Sequence, residues 1–150
     1  MPITNLLLLV HAAATLVMVG VIWFVQVVHY PLFDGVGSEG FADYERRHGA
    51  QTTWVVMPAM LLELLTAAWL VLQRPAGVPA WMVWGGLALV VFLWAVTFFV
   101  SVPQHTKLAG GFDARVHRVL TDTNWLRTAA WSVRGVLALW MVGCVMRGRP

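Results

Sequence analysis

Thr123-Asn-Trp-Leu-Arg-Thr-Ala-Ala-Trp-Ser-Val-Arg-Gly135 places two arginines inside the last apolar segment of the chain. Arg127 and Arg134 are seven residues apart, close to two helical turns, so both guanidinium groups lie on one face of a helix. Asn124 and Trp131 continue the same stripe. A charged group in the hydrocarbon of a bilayer costs at least about 2.5 kcal/mol unless it is paired or hydrated. The rest of the chain is therefore expected to supply partners for these arginines.

The composition is typical of an integral membrane protein. Of the 150 residues, 59% are hydrophobic and 11% are charged, whereas a soluble domain carries about 25% charged residues. The ten Lys and Arg residues are scattered, which argues against a nucleic-acid-binding surface. The single cysteine, Cys144, excludes an intramolecular disulfide and a Cys-x-x-Cys redox pair. We therefore predict one membrane domain over residues 1–150, in contact with the lipid bilayer and with no nucleic-acid partner.

Four apolar segments are each long enough to cross a bilayer, which needs about 20 residues. The spans are predicted at about 3–30, 51–73, 80–102 and 114–146. Between the first two, residues 38–49 carry apolar side chains on one side and charges on the others, which predicts a short interfacial helix with Ser38 as its N-cap. The prediction is an all-α integral membrane antiparallel four-helix bundle with this interfacial helix between spans 1 and 2.

Prolines and one aspartate give the expected ends and irregularities of the spans. Pro58 lies well inside the second span and predicts a kink there. Pro103 is expected to close the third span, and Asp113 is the expected N-cap of the fourth helix. The fourth helix is long enough that its first two turns are expected to project beyond the hydrocarbon.

Polar residues of the spans fall at two depths. An even number of spans puts both termini on one face, side A, with the interfacial helix and the third loop on the other, side B. At 1.5 Å per residue, Glu63 and Arg134 lie about 15–18 Å deep, and His11 reaches a similar depth from side A. A level nearer side B contains Gln26, His29, Gln104, His105, Asn124 and Arg127. This pattern predicts a polar interior open towards side B and closed by Leu, Val and Trp towards side A.

A purely structural alternative stands beside each functional interpretation. Glu63 and Arg134 are equally well explained as a buried ion pair that fixes the helix register. His11 is expected to bond to a neighbouring hydroxyl in the core. His48 and His117 are expected in solvent.

Several cofactors remain open. His29 and His105 are the candidate metal ligands, with Met57 or Met60 as a further ligand if the metal is copper. Histidines of the first and third spans could ligate a haem, and a quinone needs polar groups at its carbonyls and aromatic walls. A di-iron carboxylate site is disfavoured because one carboxylate alone is predicted in the membrane. Sequence motifs for zinc proteases, nucleophile elbows and phosphate loops are absent.

Four motifs carry a resemblance that extends over nearly the whole chain. They are Gln26-Val-Val-His-Tyr-Pro-Leu-Phe33, Pro58-Ala-Met-Leu-Leu-Glu63, Val102-Pro-Gln-His105, and Thr123-Asn-Trp-Leu-Arg-Thr128 with Trp131 and Arg134. The pattern resembles a family of uncharacterised small bacterial four-helix integral membrane proteins, and in size and layout it is similar to the anthrone-oxygenase-like membrane proteins. His11 and the aromatic end of the first span also resemble the four-helix haem-binding protoporphyrinogen oxidase group, which implies a haem.

Two hypotheses of function follow. The first is a membrane-embedded oxidoreductase or oxygenase-like enzyme that acts on a lipophilic small molecule entering from side B, with His29, His105 and Glu63 as catalytic residues. In this hypothesis the substrate-binding residues are Gln26, Gln104, Asn124, Arg127, Arg134 and Trp131. The alternative is a non-catalytic structural, assembly or transport-accessory subunit, whose interior polar groups hold the helices together.

The distribution of basic residues indicates the orientation in the membrane, and the glycines indicate where helices can approach closely. Five basic residues flank side B and three flank side A, which predicts a multi-pass protein of the cell inner membrane with side B cytoplasmic and both termini outside. Glycines permit close helix contacts and a homodimer: Gly20, Gly85, Gly86, Gly135 and Gly143.

Overall fold

Four long helical segments pack side by side in the computed structural model, which describes residues 2–147. Each is long and apolar enough to cross a membrane: Ile3–Gly35, Ser38–Leu72, Ala80–Leu108 and Ala114–Arg147. Residues 2–147 contain no β-strand. The predicted all-α bundle of four membrane-spanning helices is therefore confirmed.

The first and third segments each contain a π-helical turn. The first segment consists of α1 (Ile3–Phe24), a π turn (Val25–His29) and a 3₁₀ turn (Pro31–Gly35). The third consists of α3 (Ala80–Val96), a π turn (Thr97–Ser101) and α4 (Val102–Leu108). Single π turns inside α-helices are frequent at functional sites, and residues of both π turns line the cavity described below.

The prediction that Pro103 closes the third span is wrong. Pro103 lies in the first turn of α4, directly after the π turn, and the helix continues to Leu108. Proline is tolerated in a first turn because its missing N–H would have had no partner there. The π turn Thr97–Ser101 precedes the proline, so the helical segment continues through Pro103 instead of ending there.

The second segment is one continuous helix, α2, over Ser38–Leu72, with Pro58 inside it. Residues 38–49 are helical as predicted, but they run into the second span without a break. The predicted N-cap Ser38 is wrong, because the cap is Gly37, whose φ of 85° suits glycine. A helix of this length is about 52 Å long, well over the ~30 Å hydrocarbon core, so its first turns extend beyond the bilayer on side B.

The fourth segment is α5, over Ala114–Arg147, and Asp113 caps it as predicted. The Asp113 Oδ1 accepts hydrogen bonds from the backbone N–H groups of Arg115 at 2.8 Å and Val116 at 3.1 Å. The bond from Val116, and then that from Arg115, lowers the pKa of Asp113. The cap therefore stabilises the helix start above the unfolded-state pKa of this carboxyl and is lost as the pH falls through its lowered value.

Three apolar clusters stack between the two faces of the bundle. The side-A cluster includes Leu8, Leu70, Met82 and Met141, and it closes the bundle near the termini. The middle cluster includes Met18, Ile22, Met60, Leu93 and Trp131. The side-B cluster includes Val25, Tyr30, Phe33, Phe41, Leu108 and Leu120.

Gly135 of α5 packs closely against α1. A Cβ atom placed on Gly135 would lie 3.0 Å from Cγ2 of Val19. Gly135→Leu should therefore lower the thermal stability of the detergent-solubilised protein, because overpacking costs about 1–3 kcal/mol. Gly85→Leu is the matched control, since a Cβ there meets no heavy atom within 4 Å. Equal melting temperatures of the two variants, measured by tryptophan fluorescence, would contradict this packing.

Candidate functional site

A deep polar network joins all four segments around one ion pair. Arg134 donates from Nη2 and Nε to Glu63 Oε1 at 3.1 and 3.4 Å, and Trp131 Nε1 donates to Glu63 Oε2 at 3.0 Å. The Arg134 Nη1 donates to the carbonyl of Gly86 on α3. Glu63 and Arg134 are 1% and 2% exposed. The buried ion pair expected from the sequence is therefore confirmed.

His11 brings α1 into the deep network. Its Nδ1 lies 2.8 Å from Thr66 Oγ1, and this hydroxyl lies 2.6 Å from the carbonyl oxygen of Leu62. The Thr66 hydroxyl therefore donates to Leu62 and accepts from His11 Nδ1–H, and the Nε2 of His11 accepts from Arg134 Nη2 at 3.4 Å. The expected hydroxyl partner is confirmed. Since both ring nitrogens are in use, His11 does not fit as the axial haem ligand that the resemblance implies.

The polar side chains of the deep network are already hydrogen-bonded to one another, so none of them is free to act on a substrate. Both carboxylate oxygens of Glu63 accept hydrogen bonds from buried donors. Glu63, Trp131, Arg134 and His11 do not line the cavity described next. The arrangement favours the structural interpretation of Glu63, in which a paired charge holds four helices in register.

A cavity of about 350 Å³ lies between the middle and side-B clusters. Met18, Ile22 and Met60 of the middle cluster form its deep wall, and Val25 and Tyr30 of the side-B cluster form its upper wall. Its exposed lining residues lie on α2 and on the segment from the second π turn through α4, so it reaches the lipid-facing surface between them: Thr53, Phe98, Val102 and Thr106. Its polar lining side chains include Tyr30, His48, Thr52, Thr97, Ser101, His105 and Arg127.

His105 and Glu45 form a hydrogen-bonded pair at the side-B end of this cavity. The His105 Nδ1 lies 2.5 Å from Glu45 Oε1, and its Nε2 lies 2.8 Å from the hydroxyl oxygen of Tyr30. The Glu45 side chain is buried, at 1% exposure. Its second oxygen, Oε2, has no hydrogen-bond partner within residues 2–147.

His48 lies beside this pair, and the expectation that it is solvated is wrong. His48 is 9% exposed; its Nδ1 lies 2.8 Å from His29 Nε2 and 3.1 Å from the Thr52 hydroxyl oxygen. The burial follows from the continuity of α2, which packs this turn against Phe33. His117, the other histidine expected in solvent, is half-buried, with its Nε2 2.7 Å from the carbonyl oxygen of Tyr30.

Arg127 lines the cavity and is held by a chain of amides. Its Nη1 donates to Asn124 Oδ1 at 3.0 Å, and Asn124 Nδ2 donates to Gln26 Oε1 at 2.9 Å. The guanidinium stacks over Trp131, 5.4 Å from the ring centroid. Arg127 is 6% exposed. Within the described part of the chain it has no carboxylate partner, and its Nε–H has no acceptor.

The residues predicted for the site are distributed over several places. His105 and Arg127 line the cavity, whereas His29 lines a shallower groove between α1 and α2. Gln26 and Asn124 hold Arg127 from behind rather than facing the cavity. The remaining predicted residues are the deep-network members Glu63, Arg134 and Trp131, and the half-buried Gln104, which is outside the cavity lining.

Glu45 and His48 are the site residues that the sequence analysis missed. They form a Glu-x-x-His sequence, the spacing that puts a carboxylate and an imidazole on one face of a helix. The ligand atoms of Glu45, His48 and His105 all lie within 4.8 Å of one another. His29, predicted as a metal ligand with His105, contacts this group through His48. Met57 and Met60, the further ligands considered for copper, both line the cavity.

The chain matches no protein-family model, and no curated protein or solved structure matches it. The resemblances described from the sequence stay predictions, and they supply no role for any residue of this site.

Glu63→Gln should lower the unfolding free energy by about 3–5 kcal/mol, because it leaves Arg134 buried without its counter-charge. The double variant Glu63→Gln with Arg134→Met should recover part of this loss. Glu39→Gln, an exposed acid in the first turn of α2, is the matched control. Thermal unfolding in detergent measures all three. Glu63→Gln as stable as the control would contradict the structural role of the ion pair.

Proposed function

We propose that this membrane protein binds a lipophilic small molecule in the cavity, with an anionic head at Arg127 and an apolar body directed towards the lipid between α2 and α4. The observation that carries the proposal is that the charge of Arg127 is buried without a counter-charge among the described residues. Its guanidinium lies on the cavity wall, without a carboxylate partner in residues 2–147 and with an Nε–H that has no acceptor.

The electrostatic argument rests on the difference between the two arginines of α5. A buried charge needs a counter-charge or water to offset its desolvation. Arg134 has Glu63, whereas Arg127 has neutral groups, the Asn124 amide and the nearby Tyr30 hydroxyl, on one side and the cavity on the other. A carboxylate on a ligand supplies both the counter-charge and an acceptor for Nε–H. Because Asn124 and Trp131 already orient the guanidinium, little side-chain ordering remains for binding.

The shape of the cavity supports a lipophilic body for the ligand. Its volume of about 350 Å³ falls in the range of about 300–1,000 Å³ found for small-molecule sites. Met18, Met57 and Met60 are in the wall, and methionine adapts to ligands of irregular shape. The opening between α2 and α4 lets a molecule enter from the bilayer without crossing water.

The predicted oxidoreductase or oxygenase-like activity on a lipophile remains the proposed enzymatic class. Its support is the position of His48, His105 and Tyr30, which place proton-transferring groups beside the same cavity as Arg127. The non-catalytic alternative, a structural, assembly or transport-accessory subunit, is supported by the deep network, whose hydrogen bonds are complete without any ligand. Placement in the inner membrane with side B cytoplasmic, and a homodimer, also stay predictions.

A long-chain fatty acid carrying a fluorophore tests the proposed ligand class. Purified protein in detergent should bind it with an affinity that falls at least tenfold in Arg127→Gln, because the variant removes the charge that pairs with the carboxylate. Arg118→Gln, an exposed arginine on the same helix, is the matched control and should bind as the unaltered protein does. Equal affinity of the two variants would contradict the proposal.

Two competitors define the head group in the same assay. A fatty alcohol of equal chain length should compete poorly, because it lacks the negative charge; equal competition would contradict an anionic head. A quinone that displaces the fatty acid more effectively, and depends on Arg127, would replace the carboxylate by a quinone carbonyl. Failure of every lipophile to bind would leave Arg127 hydrated by buried water and favour the non-catalytic alternative.

A further inference from the structure

We propose that Glu45, His48 and His105 form a binding site for one divalent first-row transition-metal ion at the side-B end of the cavity. Two of these ligands come from one turn of α2 and the third from α4. The inference does not depend on the lipophilic ligand proposed above, because none of its three residues is among the groups that hold Arg127.

The distances already approach those of a metal site. One ligand atom from each residue lies within 4.8 Å of the other two. Ligand atoms around a tetrahedral ion with bonds of about 2.0–2.2 Å lie about 3.4 Å apart. Side-chain rotation alone can make up a difference of this size, and the Glu45–His105 contact of 2.5 Å is already shorter.

The unpartnered carboxylate oxygen is the second observation that points to a ligand. Glu45 is 2% exposed, and its Oε2 has no hydrogen-bond partner within the described residues. A buried carboxylate normally has its oxygens satisfied, since an unsatisfied charged acceptor costs several kcal/mol. Neighbouring cations do not relieve Glu45, because Arg46 and Arg47 pair with the exposed Asp43 instead. A bound cation at Oε2 completes the coordination of this oxygen.

Each histidine also has the outer hydrogen bond that metal-binding imidazoles usually have. The Nδ1 of His48 is engaged by His29 and Thr52, which leaves Nε2 to bind an ion. The Nε2 of His105 is engaged by Tyr30, which leaves Nδ1, the nitrogen that now contacts Glu45. Such partners fix the orientation of the imidazole and increase its basicity towards the metal.

The ligand set determines which metal ions fit the site and whether a coordination position stays open to the cavity. Two imidazoles and one carboxylate suit Fe²⁺, Mn²⁺, Zn²⁺ and similar ions, whereas Ca²⁺ and Mg²⁺ prefer all-oxygen ligands. Three protein ligands leave at least one coordination position open. His48 and His105 both line the cavity, so the open position faces it.

Cobalt(II) is the probe, because its visible absorption bands report binding and coordination number. Metal-free protein in detergent should take up one equivalent of Co²⁺, with bands that titrate to an end point and disappear on addition of Zn²⁺. Glu45→Gln, His48→Gln and His105→Gln should each weaken Co²⁺ binding by more than about 100-fold, since removing a ligand costs more than removing an outer partner, which costs about 10–100-fold.

Matched variants identify the residues responsible. Glu39→Gln, which changes an exposed acid in the first turn of α2, and His117→Gln, which changes a half-buried histidine outside the trio, should both keep full Co²⁺ binding. His29→Gln should show the intermediate loss expected of an outer partner. A complete loss in His29→Gln together with unaltered binding in His48→Gln would overturn the proposed trio in favour of the His29–His105 pair predicted from the sequence.

Protein stability supplies a second readout that does not depend on the absorption bands. Zn²⁺ should raise the melting temperature of the unaltered protein and of Glu39→Gln, but not of Glu45→Gln. Arg127→Gln removes no metal ligand and contacts the trio only through Tyr30, so it should keep saturable Co²⁺ binding and lose at most what an outer-partner variant loses. The metal site and the lipophile site can therefore fail separately. Absence of saturable Co²⁺ binding, or binding that Glu45→Gln and His48→Gln leave unchanged, would overturn the proposal and leave Glu45 and His105 as a hydrogen-bonded pair without a metal.

Discussion

The structure depends on how two guanidinium groups of one apolar helix are kept out of contact with lipid. The guanidinium of Arg134 is satisfied inside the protein, by Glu63, the Gly86 carbonyl and His11. Because these partners come from α2, α3 and α1, satisfying one charge fixes the position of every segment relative to α5. Helix association in a membrane has little hydrophobic driving force, so a fully paired polar network of this kind is a strong determinant of the packing.

Arg127 lies two turns nearer side B, and within the described residues its guanidinium has no carboxylate partner. Its neighbours are the amide of Asn124, the face of Trp131 and the Tyr30 hydroxyl, which orient the guanidinium without neutralising it. The segments are also less regular at this depth, since both π turns occur there. A π turn widens the helix and disturbs side-chain packing locally, and the cavity lies between the two turns. The same helix therefore carries a closed polar network at one depth and an incomplete one at the other.

The parts of the structure that could be predicted from the sequence are those governed by periodicity and depth. The four spans and the Glu63–Arg134 pair follow from the helical repeat and the thickness of a bilayer, and the Asp113 cap follows from the preference for a short acidic side chain at a helix start. The helix end predicted at Pro103 is wrong because the preceding π turn, which the hydrophobic periodicity does not reveal, places this proline in a first turn. The solvent exposure predicted for His48 is wrong because its charged neighbours are typical of a solvated surface helix, whereas this turn of α2 is packed against Phe33.

The continuity of α2 explains why the side-B site could not be assembled from the sequence. If residues 38–49 formed a separate helix on the membrane surface, Glu45 and His48 would have no fixed distance to α4. As one helix, α2 carries them rigidly down to His105, where the charged residues divide between two faces: Asp43, Arg46 and Arg47 pair in solvent, and Glu45 is buried. A carboxylate is excluded from water at such a cost that its burial, with one oxygen unpartnered beside two oriented imidazoles, is better explained by a bound cation than by packing.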